Sequence, residues 1–218
     1  MAPRPRQARR RSAVSTRVAI VDYGMGNIWS VQNALAEVGA QSELVAAPER
    51  LGEFDKIILP GVGAFGDAMR LLREAGMQRA LEEKARQGMP VLGVCLGMQL
   101  MCRSSTENGS HQGLGWIDAE VIALEPAQGV KIPHMGWNTV RFAKPSPLTE
   151  GIADGTDFYF VHGYQVVCKD PADVLGTCEH GQRVTAMLAH GNLFAAQFHP
   201  EKSQRGGLQM LKNFVERV

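Results

Sequence analysis

The run Gly93-Val94-Cys95-Leu96-Gly97 holds a cysteine between two glycines, each two residues away, just after the apolar Val91 and Leu92. A strand that turns sharply into a helix at such a point forms a nucleophile elbow, here with a thiol where hydrolases carry a hydroxyl. The turn strains the backbone at the nucleophile and leaves no room for flanking side chains, which accounts for a glycine on either side. A helix N-terminus beneath the sulfur favours the thiolate, the form that attacks acyl carbons. The competing reading is a small buried cysteine whose glycine neighbours only pack. Cys102, seven residues on and without a glycine pair, fits that second reading far better.

A thiol nucleophile needs a base within hydrogen-bond reach and a third group that orients the base. Of the six histidines, His199 stands at the end of the apolar run 193–198, with Pro200 between it and Glu201. Two residues apart at a strand end, these side chains can point the same way. The carboxylate then accepts from one imidazole nitrogen while the other faces the thiol. Alone, His199-Pro200-Glu201 reads as a surface turn; beside the elbow it reads as a base and its orienter. His111, His134, His162, His180 and His190 have no metal-site spacing with the cysteines, so neither a catalytic metal nor a cofactor is expected. Trp116, Trp137 and the methionine-bearing stretch 98–101 read as core packing.

The elements that must position these groups are legible around them. Residues 18–21 form a short β-branched run that stops at the turn-prone Asp22-Tyr23-Gly24-Met25-Gly26-Asn27, and Ile28, Val31, Leu35 and Val38 follow helical spacing up to Gly39. A strand over 42–45 completes a first βαβ unit. A second has strand 56–59, the turn Pro60-Gly61-Val62-Gly63, and a helical pattern from Ala64 to about Gln87 that Gly88-Met89-Pro90 breaks. Strand 91–94 then runs into a helix expected over 95–102. Three strand-to-helix turns in succession predict an α/β fold, a doubly wound, mostly parallel sheet flanked by helices, with ligands beyond the carboxyl ends of the strands. After about Asn108 the pattern changes to strands and loops, around Val121 and over 137–142, 158–167, 184–189 and 193–198. An added antiparallel strand region is therefore expected in the C-terminal half, before a closing helix over 206–217.

With 218 residues, 44% of them hydrophobic, and no internal repeat, the chain fits one domain with an ample core. The net charge of +1 hides an uneven distribution. Six of the 23 Lys and Arg fall in the first seventeen residues, where there is no acid, so the remainder is acidic. A mildly acidic body disfavours a nucleic-acid surface. The tail resembles an organellar transit peptide in being Arg-rich and acid-free, but Pro3, Pro5 and the shortage of large apolar side chains favour a disordered extension over 1–16. Residues 17–218 then form the domain. No run of about eighteen apolar residues predicts a membrane span. Cys95, Cys102, Cys168 and Cys178 need no disulfide pairing in a domain of this size, and a reducing cytoplasm is the expected setting.

Together these residues resemble the class I glutamine amidotransferases: Pro60-Gly61-Val62-Gly63 looks like their oxyanion strand, residues 93–97 their elbow, and His199-Pro200-Glu201 the rest of a Cys-His-Glu triad. Residues 22–27 and 60–67, Pro133-His134-Met135-Gly136-Trp137-Asn138, and residues 197–204 narrow the likeness to the glutaminase subunits of imidazole glycerol phosphate synthase, over 17–218. The resemblance implies a flavodoxin-like domain in which Cys95 is the nucleophile, His199 the base and Glu201 its orienter. It implies oxyanion donors from Leu96 and from Gly61, Val62 and Gly63, each typically worth roughly 2.7–4 kcal/mol. Gln99, Glu107, Gly163 and Tyr164 would hold glutamine, and Asn27, Tyr159 and Lys202 would lie near a partner. That partner would be a (β/α)8-barrel synthase subunit, joined in a heterodimer. It would take the ammonia and make imidazole glycerol phosphate and an aminoimidazole-carboxamide ribonucleotide in histidine biosynthesis. At residues 161–165 the chain departs from the family, with Gly163 where Ser is usual and Gln165 where a second Tyr is usual.

Three rival readings define the alternatives. A glutaminase could feed another synthase, such as the one making pyridoxal phosphate, whose oxyanion region usually carries Gly-Gly-Glu; Gly61-Val62-Gly63-Ala64 argues against it. A catalytically silent binding subunit would be expected to lose a triad member, and all three positions are filled. A stand-alone cysteine hydrolase of γ-glutamyl peptides would be fully active alone. The glycines around Val62 also allow a peptide plane to rotate, so hydrolysis is expected to stay slow until the partner and its substrate are in place.

Overall fold

The structure, a computed structural model, describes residues 16–218, and the Arg-rich extension expected over 1–16 lies, except for Thr16, outside the described residues. The chain opens with β1 (Arg17–Val21), α1 (Ile28–Glu37), β2 (Gln41–Val45) and β3 (Lys56–Gly61). It continues through α2 (Phe65–Glu74), α3 (Met77–Arg86), β4 (Val91–Cys95) and α4 (Leu96–Leu100). Seven further strands follow: β5 (Cys102–Ser105), β6 (His111–Gln112), β7 (Ile117–Ala123), β8 (His134–Thr139), β9 (Arg141–Phe142), β10 (Asp157–His162) and β11 (Tyr164–Cys168). β12 (Val174–Glu179), β13 (Arg183–His190), β14 (Leu193–Ala196) and α5 (Gln204–Glu216) close it.

The main sheet has eight strands in the order β2-β1-β3-β4-β14-β13-β12-β9. The first five run parallel, and β13, β12 and β9 extend it antiparallel. Strand residues alternate between the two faces. Ala19 and Val21 of β1 join a core with Phe65, Ala68, Met69 and Leu72 of α2 and Met77 and Leu81 of α3. Val18 and Ile20 join the opposite core with Val31, Ala34 and Leu35 of α1 and Met210, Leu211 and Phe214 of α5. Strands buried on both faces must be apolar throughout, which is why β1, β3 and β4 stand out as continuous runs in the sequence. Gly39, at φ +77°, ends α1: its N–H donates to the Ala36 carbonyl and that of Ala40 to the Leu35 carbonyl. The doubly wound fold with an antiparallel addition is as expected.

Several details differ from expectation. The helical stretch 64–87 is two helices, because Gly76 adopts a left-handed φ of +68° between α2 and α3. The helix after Cys95 is a single turn and a half, and Cys102 begins β5 instead of ending it. β12, which reads as loop in the sequence, pairs with β13. Trp137, expected in the core, is 49% exposed on β8, while residues 98–101 are buried as expected. β8 pairs with β10 and β11 with β7, so the chain passes between two small sheets at Gly163. All four cysteines are unpaired, and no helix of the described residues is long and apolar enough to cross a membrane.

Candidate active site

Three adjacent parallel strands deliver the candidate groups to one edge of the sheet. Gly61, last in β3, is in register with Cys95, last in β4; Val94 is in register with Ala196, last in β14. The chain beyond β14 reaches His199 within three residues, and Pro200–Lys202 forms a 3-10 turn. This is the carboxyl edge at which open α/β sheets hold ligands.

Cys95 has φ +55° and ψ −111°, a conformation that costs a non-glycine residue about 1–3 kcal/mol and is held by its surroundings. The surroundings are tight. A Cβ on Gly97 would lie 1.8 Å from the Leu59 carbonyl oxygen, and one on Gly93 would lie 2.8 Å from the Gly97 backbone. Both elbow glycines are therefore required by packing of backbone on backbone. The Cys95 Sγ is 3.9 Å from Gln197 Nε2 and 4.0 Å from the Val161 carbonyl. Cys102 is buried, its thiol is near the Met98 carbonyl, and burial pushes its pKa far up, the neighbouring Cys168 adding to it.

His199 is 2% exposed, and its Nδ1 lies 2.8 Å from Glu201 Oε1. Nε2 has no hydrogen-bond partner, and neither has Glu201 Oε2. Burial alone would lower the imidazole pKa, but Cys95 and Glu201 together outweigh it and raise it to about 9. Ser203 Oγ donates to the His199 carbonyl and accepts from the Tyr159 N–H, while the His199 N–H donates to the Tyr159 carbonyl. His199 is thus fixed by both its side chain and its backbone.

Cys95 and His199 line a cavity of about 220 Å³ with Val62, Gly63, Leu96, Gln99, Glu107, Val161, His162, Gly163 and Tyr164. A larger hollow elsewhere, of about 690 Å³ and lined by residues 142–154, contains neither a cysteine nor a histidine. Of the expected oxyanion residues, Val62, Gly63 and Leu96 reach the cavity, whereas Gly61 stays inside β3. A Cβ on Gly61 would be 2.6 Å from Tyr23 Oη and 2.9 Å from Leu96 Cβ, and Tyr23 Oη donates to the Pro60 carbonyl. Gly63, at φ +101°, occupies backbone space that favours glycine.

Gln99 is 5% exposed and donates from Nε2 to Gln197 Oε1 at 3.0 Å and to the Tyr164 carbonyl at 3.4 Å. Glu107 does two things: besides lining the cavity, its Oε2 accepts from the Phe65 N–H at the start of α2. A Cβ on Gly163 would meet nothing within 4 Å, and Gln165 is buried with its Nε2 donating to Gln182 Oε1. Asn27 precedes α1. Lys202 Nζ is 5.9 Å from the Tyr159 ring centroid, and that ring meets the exposed Trp137 edge-on at 6.0 Å.

Gln197, His162 and Tyr23 belong to the site although the motifs do not single them out. Gln197 is legible in one respect: it is the polar residue in the otherwise apolar run 193–198, and a fully buried amide needs partners. Among the described residues no cluster of His, Cys, Asp and Glu is arranged to hold a metal.

The chain matches the family described as glutamine amidotransferase class-I over residues 19–218. The imidazole glycerol phosphate synthase subunit HisH of Moorella thermoacetica is 50% identical over 201 residues, 92% of this chain and 95% of that one. The HisH subunit of Sulfurimonas denitrificans is 48% identical over 202 residues, 91% of this chain and 97% of that one. Among solved structures, PurLQS from Thermotoga maritima superposes with a TM-score of 0.72 at 21% identity, covering 92% of this chain and 98% of that one. A glutamine amidotransferase from Thermotoga maritima gives 0.62 at 17% identity, over 89% of this chain and 80% of that one. The structural likeness carries the fold and the sequence likeness the family: this chain belongs to the class I glutamine amidotransferases, among the HisH subunits of imidazole glycerol phosphate synthase.

Proposed function

We propose that Cys95, His199 and Glu201 hydrolyse glutamine to glutamate and ammonia through a thioester on Cys95. The Cys95 thiolate attacks the γ-carboxamide carbon, forming the C–S bond and moving the carbonyl electron pair onto oxygen. Backbone N–H groups of Leu96 and of the Val62–Gly63 segment stabilise that oxyanion, Leu96 standing first in α4, where helix N–H groups have no internal partner. As the C–N bond breaks, protonated His199 gives its Nε2 proton to the leaving nitrogen and ammonia departs. Neutral His199 then takes a proton from water as it attacks the thioester, the C–S bond breaks, and glutamate leaves. Glu201 holds Nδ1 throughout.

The observation that supports this reading most is the buried Nε2 of His199, unpartnered in the same cavity as Cys95 while its other nitrogen is held by a buried carboxylate. Gln99, Glu107, Gly163 and Tyr164 are the glutamine-holding residues of this reading. The curated relatives are named as subunits of imidazole glycerol phosphate synthase, and on that basis the ammonia goes to a (β/α)8-barrel synthase subunit, not to another synthase. The docking face of this reading runs over Asn27, Tyr159 and Lys202, where Trp137 and Met135 are exposed. The test is product analysis of the purified chain with the barrel subunit. Glutamate and ammonia should appear in equal amounts and vanish in Cys95→Ala; product formation at the wild-type rate in that variant would refute the assignment.

A further inference from the structure

His134 and His162 are both buried and are cross-strand neighbours on β8 and β10. Their rings meet through nitrogen: His134 Nδ1 is 2.9 Å from His162 Nε2. Each remaining ring nitrogen has one further partner. His134 Nε2 is 3.0 Å from Asn138 Nδ2, and His162 Nδ1 is 2.8 Å from the Tyr164 carbonyl.

Backbone groups fix the direction of every proton along this path. Asn138 Oδ1 accepts from the Thr139 N–H at 2.8 Å and Nδ2 donates to the Glu179 carbonyl at 2.8 Å, so the amide has one orientation. Its NH2 therefore donates to His134 Nε2, which must be an unprotonated acceptor. At the other end a carbonyl only accepts, so His162 Nδ1 carries the proton. Between the rings one nitrogen must donate and the other accept. Only one assignment satisfies all the contacts while leaving both rings neutral: His134 Nδ1–H donates to His162 Nε2, and His162 Nδ1–H donates to the Tyr164 carbonyl.

The path ends on the wall of the Cys95 cavity. The Tyr164 carbonyl also accepts from Gln99, the Val161 carbonyl is the sulfur's near neighbour, and the Gly163 carbonyl accepts from the Leu124 N–H. We propose that Asn138, His134 and His162 form a one-way hydrogen-bond chain that holds residues 161–164 in place against the nucleophile, making His134 a positioning residue for glutamine hydrolysis although it does not line the cavity. This rests on the reading of Cys95 given above. The chain also separates two imidazoles of one cavity by charge, His162 staying neutral while His199 carries the proton that leaves with ammonia.

Electrostatics agree with the geometry. Burial, with His162 and His180 nearby, lowers the His134 pKa to about 3. Burial also lowers that of His162 to about 4, with His180 and His199 contributing and the Tyr164 carbonyl opposing. His180, stacked on His134 at 4.0 Å and bonded through Nε2 to the Lys131 carbonyl, and His199 across the cavity are the titratable groups that face the pair.

The test combines imidazole 15N NMR with kinetics. In the wild-type chain, and equally in Cys95→Ala, both histidines should show a protonated Nδ1 and a bare Nε2 down to pH 5. An Asn side chain places its amide where Nδ1 stood, so His134→Asn should hydrolyse glutamine, with the barrel subunit present, within about threefold of wild type. His134→Gln, whose amide reaches toward Asn138 instead, and His134→Ala should lower kcat about tenfold with little change in KM. A proton on Nε2 of either ring overturns the proposal whether or not any variant folds. So does a His134→Asn protein as impaired as His134→Ala. Loss of activity in all proteins with the tautomers as assigned would count against the glutaminase reading and leave the hydrogen-bond chain standing.

Discussion

Gly61 and Cys95 lie side by side in register at the ends of two parallel strands, β3 and β4, and Tyr23 Oη with Leu96 Cβ fills the space a side chain on Gly61 would need. The pairing puts the backbone that follows Gly61 next to the sulfur. Val62 and Gly63 then continue into the cavity, while Gly61 serves the close approach of the strands.

Cys95 and Glu201 together hold the His199 pKa up, and replacement of Glu201 should show in both rate and stability. Glu201→Gln should reduce kcat at least about a hundredfold with a smaller change in KM, because the carboxylate stabilises the imidazolium that forms as His199 takes the proton from the attacking water. The wild-type imidazole, raised to about 9 from 6.5, adds stability that is complete below pH 6.5 and is lost as pH rises through about 9. Thermal unfolding of wild type and Glu201→Gln across pH 6 to 10 should show the gap between them narrowing as pH rises. A gap that widens would reverse the sign of the assigned coupling.

Two glycines of the site should respond oppositely to a side chain. Gly97→Ala drives a Cβ into the Leu59 carbonyl and should cost about 3 kcal/mol in urea unfolding, because backbone on both sides cannot yield. Gly163→Ser meets open space and should change stability by less than about 0.5 kcal/mol, its effect appearing in KM for glutamine. Equal destabilisation by the two would contradict the packing described for the elbow.

How much of this was legible beforehand follows from the range of the interactions. β1, β3 and β4 are buried on both faces, so their apolar runs announce them, and the elbow glycines sit two residues from the cysteine they serve. The break at Gly76 was hidden because α2 and α3 bury apolar faces in the same core, so the helical pattern runs through it. The short helix Leu96–Leu100 is buried all round and has no polar face to mark its end. Gln197 beside the sulfur is 102 residues from Cys95, and His162 lies 28 residues from His134. Such pairings come from sheet topology and leave no local signal.

Control by the partner can be read from three rates: the chain alone, the chain with the barrel subunit, and that complex with a barrel ligand bound. If the peptide between Val62 and Gly63 turns an oxyanion donor into the cavity only in the last state, turnover should rise about a hundredfold or more across the series. Equal rates in all three would favour a stand-alone γ-glutamyl hydrolase.

The thioester itself is the most direct target. Rapid-quench mass spectrometry of the chain with its barrel partner and glutamine should find a γ-glutamyl group on the peptide carrying Cys95, and none in Cys95→Ala, whose synthase reaction should still run on added ammonia. A γ-glutamyl group on Cys102, or glutamine hydrolysis that survives in Cys95→Ala, would contradict the account.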